Sequence, residues 1–309
     1  MGLLIDGQWQ EQDTRRTNAD GEFMRTPSTF RHQIAPHDPE FPAAPERYHL
    51  FVNAGCPWAY RTILYRSIKG LAPYISLSFT LPAAGAEGWT FGPQREPLLQ
   101  AEYMHHVYSA AAPNFTGRCT VPVLWDKTRH TIVNNESADI IRQFDSAFDD
   151  LPGVEPTRYY RPELADQIDS LNEEIYQAVN NGVYRCGFAK SQAAYDAAFD
   201  ALFATLDRLD QRLVNQRFLL GHQICETDWR LFATLVRFDL AYYGQFRCNL
   251  RRITDYSNLW PYVRDLYQQP GVAATVDSAA IKGIYYGSRE PGILPKGPVL
   301  DFSAPHNRA

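Results

Sequence analysis

The chain is short of cysteine, of basic clusters and of long apolar runs, and each shortage excludes a class of function. Its five cysteines, Cys56, Cys119, Cys186, Cys225 and Cys248, stand far apart in 309 residues. An odd number with no close pair spells neither a disulfide framework nor a zinc knuckle. No metal is therefore expected, and a reducing compartment with a thiol free for chemistry is the simplest reading. Lys and Arg number 30 against 35 Asp and Glu, a net charge of −5. A nucleic-acid reader needs a basic face, and the densest basic group, Arg247, Arg251 and Arg252, reads as a solvated helix end. No apolar stretch approaches the roughly 20 residues that span a bilayer. Met1-Gly2-Leu3-Leu4-Ile5-Asp6 turns polar too soon for a secretory signal, and Asp6 stands where a myristoylation motif wants Ser or Thr. A cytoplasmic protein with no nucleic-acid or membrane partner is expected. Internal repeats and low-complexity tracts are also lacking.

What is present is the material of a folded protein, 45% apolar and 21% charged, long enough for about two domains. Residues 1–46 are polar, rich in Pro, Gly, Arg and Asp, and read as an extended arm. Tyr48-His49-Leu50-Phe51-Val52 is a compact β-type run, followed by a helical pattern from Pro57 to Lys69 that Gly70 closes as a C-cap. Ile75-Ser76-Leu77-Ser78-Phe79 is the next strand. After a Gly/Pro/Ala-rich loop at 81–98, Leu99 to Ala110 reads as a helix. Thr120 to Trp125 and His130 to Val133 pair as a hairpin, and a helix opens at Asn135-Glu136-Ser137. Strand–helix–strand, then strand–strand–helix, is the thioredoxin-like order. Beyond a Pro-punctuated linker the pattern is helical at 163–181, 191–214, 227–243 and 257–268. The expected fold is thus α/β plus all-α: an arm at 1–46, a thioredoxin-like domain at 47–149, a helical domain at 150–282 and an aperiodic tail at 283–309.

The chemistry centres on Gly55-Cys56-Pro57-Trp58-Ala59, at a strand-to-helix junction. A helix N-terminus offers unpaired N–H groups and a positive dipole end, which favour thiolate over thiol. Pro57 fits the first helical position, where its missing N–H costs nothing, and Arg61 adds positive charge one turn on. A dithiol oxidoreductase would carry a second cysteine at position 59, where this chain has Ala59. A mixed disulfide on Cys56 then needs an external thiol such as glutathione to resolve it. Val121-Pro122 opens a strand, where a cis bond would free the Val121 backbone to pair with a peptide-like ligand. Glu136 and Ser137 begin a helix, suiting the ammonium and carboxylate of a γ-glutamyl group, although ordinary capping would produce the same pattern.

With these motifs on the page the chain resembles the glutathionyl-hydroquinone reductases, the Xi class of glutathione transferases. The resemblance runs through Tyr48-His49-Leu50, Cys56-Pro57-Trp58-Ala59, Gly88-Trp89-Thr90-Phe91, Gly117-Arg118, Thr120 to Asp126 and Asn135-Glu136-Ser137. In the helical half it continues through Asn180-Asn181-Gly182-Val183-Tyr184, Leu235 to Asp239 and Tyr285-Tyr286-Gly287-Ser288. It implies Cys56 as the nucleophile, with Trp89, Arg118, Val121, Glu136 and Ser137 holding glutathione as co-substrate, no metal and no nucleotide. It also implies Tyr184 and Tyr285 facing a quinone-derived aromatic substrate between the two domains, the tail lying over the active site, and a homodimer. Against the family's usual Ala, His and His, this chain carries Gly55, Tyr60 and Ile284, and its segment Ser288-Arg289-Glu290-Pro291 is short. Cys186 brings a second thiol close to Tyr184 in sequence. Cys225-Glu226-Thr227-Asp228 stands where Ser/Thr-x-x-Asp usually starts the core helix, a poor cap in the first slot. Two competing readings stay open: a broader thioltransferase or dehydroascorbate reductase, and a non-catalytic glutathione-binding scaffold.

Overall fold

A computed structural model of the protein describes residues 2–11, 16–288 and 291–308; Arg289 and Glu290 of the short tail segment lie outside them. The chain divides into two compact units, one of residues 1–14, 26–157 and 275–294, the other of residues 15–25, 158–274 and 295–309.

The first unit is built on a four-stranded sheet. Strand Tyr48–Val52, buried along its whole length, pairs in parallel with Ile75–Phe79 on one side. On the other side it pairs antiparallel with Val123–Asp126, which pairs antiparallel with Thr131–Asn134. The parallel pair requires a crossover, supplied by helix Pro57–Ile68. That helix ends as the sequence anticipates: Gly70 adopts φ +68° and donates its N–H to the Ser67 carbonyl. Helix Ser137–Ser146 packs beside Pro57–Ile68, and together these elements form the thioredoxin-like order.

Three expectations for this unit change. The helix expected from Leu99 begins five residues later, as Met104–Ala111. The Glu96 carboxylate binds the N–H groups of Leu98 and Leu99, and Gln100 sits at φ +54°, so 96–100 is a tight turn. The first ten residues carry a hairpin, Leu3–Ile5 with Gln8–Gln10, whose Leu4 exchanges both backbone hydrogen bonds with Gly117. The tail, expected to be aperiodic from 283, is regular at its start: the π-helical turn Gly283–Gly287 continues the helical turn Ser278–Lys282, which Asp277 caps.

The second unit is helical, with Ala165–Ile175, Gly182–Phe188, Gln192–Arg212, Glu226–Arg237 and Leu259–Tyr267 as its main helices. Two of the long expected helices are interrupted by π-helical turns, at Tyr176–Asn180 and Phe238–Tyr242. Residues 15–25 of the polar arm belong to this unit, where Gly21 and Lys190 share a backbone hydrogen bond. Cys225 is the N-cap of Glu226–Arg237. Its N–H and its thiol both reach the Asp228 carboxylate, at 2.8 and 3.1 Å, which also accepts from Leu219 N–H and the Tyr262 hydroxyl. Four donors on one carboxylate satisfy a fully buried charge that burial alone pushes toward the protonated form.

Candidate active site

Cys56 is the N-cap of helix Pro57–Ile68, with extended backbone angles and Pro57 in the first turn. Its residue is only 7% exposed, so the sulfur lies in a recess, and Sγ stands 4.0 Å from the Val121 carbonyl oxygen. The Val121–Pro122 bond is cis. The loop ahead of the cysteine is fixed by Asn53, which is fully buried. Its amide donates to Thr80 Oγ1 and the Leu81 carbonyl at 2.9 and 2.8 Å, while its Oδ1 accepts from Gly55 N–H at 2.9 Å. Asn two residues before Gly, at the end of a strand, is the signature of an Asx-type turn, and this signal could have marked Asn53 in the sequence.

Glu136 caps helix Ser137–Ser146, its Oε1 accepting from Ala138 N–H at 3.1 Å. Its Oε2 accepts from the Ser28 hydroxyl at 3.0 Å. The capping role that the sequence allowed is thus occupied, and a carboxylate retains further acceptor sites beyond these two bonds. Ser137 is buried and its hydroxyl lies 3.4 Å from Arg61 Nη1. Arg61 is itself buried, with its guanidinium 4.8 Å above the Trp58 ring. One cation therefore joins the cysteine helix to the helix that begins at Ser137. Sequence reasoning valued Arg61 for its charge and did not find Ser28, whose contact crosses more than a hundred residues.

Trp89 is buried in the loop that follows strand Ile75–Phe79, where its carbonyl accepts from Met104 N–H at 2.8 Å. Trp9 of the N-terminal hairpin braces that loop: its indole donates to the Ala86 carbonyl at 3.3 Å and stacks on His105 at 4.5 Å. Gly88 beside Trp89, at φ +73°, leaves room for the Trp9 ring, which a Cβ there would meet at 3.1 Å. Arg118 is half-buried and follows Gly117, the hairpin's bridge partner. Tyr285 is buried in the π-helical turn of the first unit.

Tyr184 belongs to the second unit. Asn180 ties its segment to helix Glu226–Arg237 through Thr234 Oγ1 at 2.7 Å and the Arg230 carbonyl at 3.1 Å. Asn181 accepts from Arg25 Nε at 3.1 Å, and the Arg25 guanidinium lies 5.0 Å over the half-buried Tyr184 ring. Phe23, Phe188, Tyr242 and Phe246 surround that ring within 6.4 Å. The first unit thus collects Cys56, Val121, Glu136, Ser137, Trp89, Arg118 and Tyr285, and the second holds Tyr184.

Comparison with known proteins agrees with this architecture. The glutathione S-transferase N-terminal domain matches residues 55–147 and the C-terminal domain residues 192–265. The chain is 46% identical to glutathionyl-hydroquinone reductase YqjG of Escherichia coli, over 100% of this chain and 98% of that one. It is 45% identical to glutathionyl-hydroquinone reductase PcpF of Sphingobium chlorophenolicum over 96% of each. The glutathione-bound structure of YqjG superposes with a TM-score of 0.91 over 99% of both chains, at 44% identity. A Xi-class transferase from Natrialba magadii superposes at 0.94, with 42% identity over 100% of this chain and 97% of that one. A thioredoxin-like unit with its cysteine at a helix N-terminus, a helical unit, and full-length identities above 40% place this chain in the glutathione transferase family, among the Xi-class glutathionyl-hydroquinone reductases.

Proposed function

We propose that this chain removes glutathione from glutathionyl-hydroquinones, with Cys56 as the nucleophile and glutathione as the co-substrate. The observation that carries the mechanism is the cysteine's position: N-cap of a helix, recessed, beside the Val121 carbonyl, with Ala59 where a resolving thiol would stand. The Cys56 thiolate attacks the glutathione sulfur of the conjugate, forming Cys56–S–S–glutathione while the aryl carbon–sulfur bond breaks. The ring carbon takes up a proton and leaves as hydroquinone. A second glutathione thiolate then attacks the mixed disulfide, releasing glutathione disulfide and the Cys56 thiolate, so the two electrons gained by the ring come from two thiols.

Trp89, Arg118, the Val121 backbone, Glu136 and Ser137 hold glutathione in this reading. Ser137, at the N-terminus of its helix, suits a carboxylate, and Glu136 suits an ammonium. Tyr184 and Tyr285 supply phenolic hydroxyls to the ring oxygens and the ring carbon. The protein works as a homodimer in the cytoplasm.

Intact mass after incubation with a glutathionyl-hydroquinone tests the central step. A single glutathione adduct mapped to Cys56, absent from Cys56→Ser together with the reductase activity, is the expected result. Near-wild-type turnover in Cys56→Ser would remove the proposal, since a serine hydroxyl forms no mixed disulfide.

A further inference from the structure

The cysteine loop and the segment that carries Tyr285 touch at Gly55. A Cβ placed on Gly55 would lie 2.4 Å from the Ala280 carbonyl oxygen and 2.8 Å from Ile284 Cγ2. Both distances are far inside van der Waals contact, and the closer neighbour is backbone, which cannot rotate aside. Segment 275–288 is therefore seated on the bare Gly55 backbone, one residue before the nucleophile, and Tyr285 follows directly on Ile284. Two further contacts fix the same segment. Gly283 packs so closely on Pro82 that a Cβ would lie 2.6 Å from the proline Cβ, and Ser288 Oγ accepts from Ala84 N–H at 2.9 Å. At the other end the Tyr60 hydroxyl, one turn into the cysteine helix, pairs with Thr275 Oγ1 at 3.0 Å. Asn53 binds the Leu81 carbonyl, so the 80–84 loop that receives Gly283 and Ser288 is welded to the cysteine loop as well.

We propose that Gly55, Gly283 and the Tyr60–Thr275 pair are positioning residues that seat Tyr285 beside the cysteine loop and so determine turnover of ring-bearing glutathione conjugates. The inference rests on the role proposed above for Tyr285. When a methyl group is added at Gly55, the cysteine loop holds its place through Asn53, and the tail segment must move by about 1 Å. Misplacement of that size can cost about a hundredfold in rate. The loss falls on the substrate that needs the ring-facing hydroxyl and spares one that needs only the thiol.

The test compares two substrates, a glutathionyl-hydroquinone and the mixed disulfide of glutathione with 2-mercaptoethanol. Gly55→Ala is expected to lower kcat/KM for the first by about 10- to 100-fold and to change the second by less than about threefold. Tyr60→Phe and Thr275→Val are each expected to lower the first by about threefold, and the double variant by no more than either alone, because both remove one hydrogen bond. An equal fall on both substrates in Gly55→Ala, or no fall on either, overturns the proposal, as does full additivity of Tyr60→Phe and Thr275→Val. If Gly55→Ala does not fold, the Tyr60–Thr275 cycle decides alone. A wild-type protein that reduces the mixed disulfide and leaves the glutathionyl-hydroquinone untouched would instead refute the proposed function.

Discussion

His49 offers a test of the sheet beneath the site whose size follows from the structure. Its ring is buried on the central strand, with Nδ1 2.7 Å from Ser76 Oγ and Nε2 3.0 Å from Ser78 Oγ. Burial, with Lys127 and Arg66 adding to it, pushes its pKa down to about 4 from the ordinary 6.5. The native state thus keeps the ring neutral where the unfolded chain protonates it. Stability from this depressed pKa is fully present above about pH 6.5 and is lost as the pH falls toward about 4, below which both states carry the proton. At about pH 4.5 the linkage predicts a loss on the order of 2.5 kcal/mol relative to neutral pH. For a unit of this size that is a fall of very roughly 5–10 °C in melting temperature. His49→Gln retains a polar group that can reach the serine hydroxyls and removes the titration. The measurement is melting temperature against pH for both proteins, with the difference between the two curves isolating His49. Parallel curves between about pH 6.5 and 4.5 would refute the reasoning, because they would mean that no proton is excluded by folding at this position.

Two further predictions concern the aromatic groups and the helical unit. Tyr184→Phe and Tyr285→Phe keep their rings and lose only hydroxyls; each should lower turnover of a glutathionyl-hydroquinone by ~10²-fold, the scale of a positioned proton donor. Reduction of a small glutathione mixed disulfide, which needs no carbon protonation, should barely change; a common fall would make the tyrosines structural. Cys225→Thr should raise the unfolding midpoint by the equivalent of ~0.5–1 kcal/mol, since a hydroxyl caps a helix better than a thiol and still donates to Asp228. A lowered midpoint would show that the added methyl does not fit this fully buried position.

The fold was legible wherever a segment's own pattern settles its conformation. Strands Tyr48–Val52 and Ile75–Phe79 have the bounds expected of their apolar runs, and helix Pro57–Ile68 ends at the Gly70 signal. The failures share a physical cause. A hairpin of three-residue strands carries too little periodicity to register, and Leu3–Ile5 owes its place to a pairing between Leu4 and Gly117, far along the chain. The tail from Gly283 reads as aperiodic, yet it opens on a π-helical turn in which Gly283 is needed for close approach to Pro82. The turn at 96–100 hid inside an apolar pattern because a single carboxylate, Glu96, organises it. Within the site, Cys56 and Val121-Pro122 announce themselves through local motif. Ser28 and the Arg61–Ser137 contact depend on tertiary packing that no window of sequence contains.

The remaining cysteines bear on why the chemistry should need a second glutathione. A resolving thiol must be available as thiolate. Cys119, two residues before the Val121 carbonyl that faces Cys56, is the neighbour best placed in sequence. Burial pushes its thiol up to about 12, so it stays protonated at neutral pH. Cys225 is raised further by burial and by the Asp228 carboxylate, to which its thiol is hydrogen-bonded. Cys248 is raised by burial and by the adjacent Cys186 thiol. Cys186, like these three, is buried. Two of the five thiols, Cys56 and Cys225, stand at helix N-termini; Cys225 is spent on the Asp228 carboxylate, while Cys56 lies beside the Val121 carbonyl. The three whose ionisation is shifted are all shifted against thiolate. On the mechanism proposed above, a mixed disulfide at Cys56 would accordingly be left for a second glutathione to resolve.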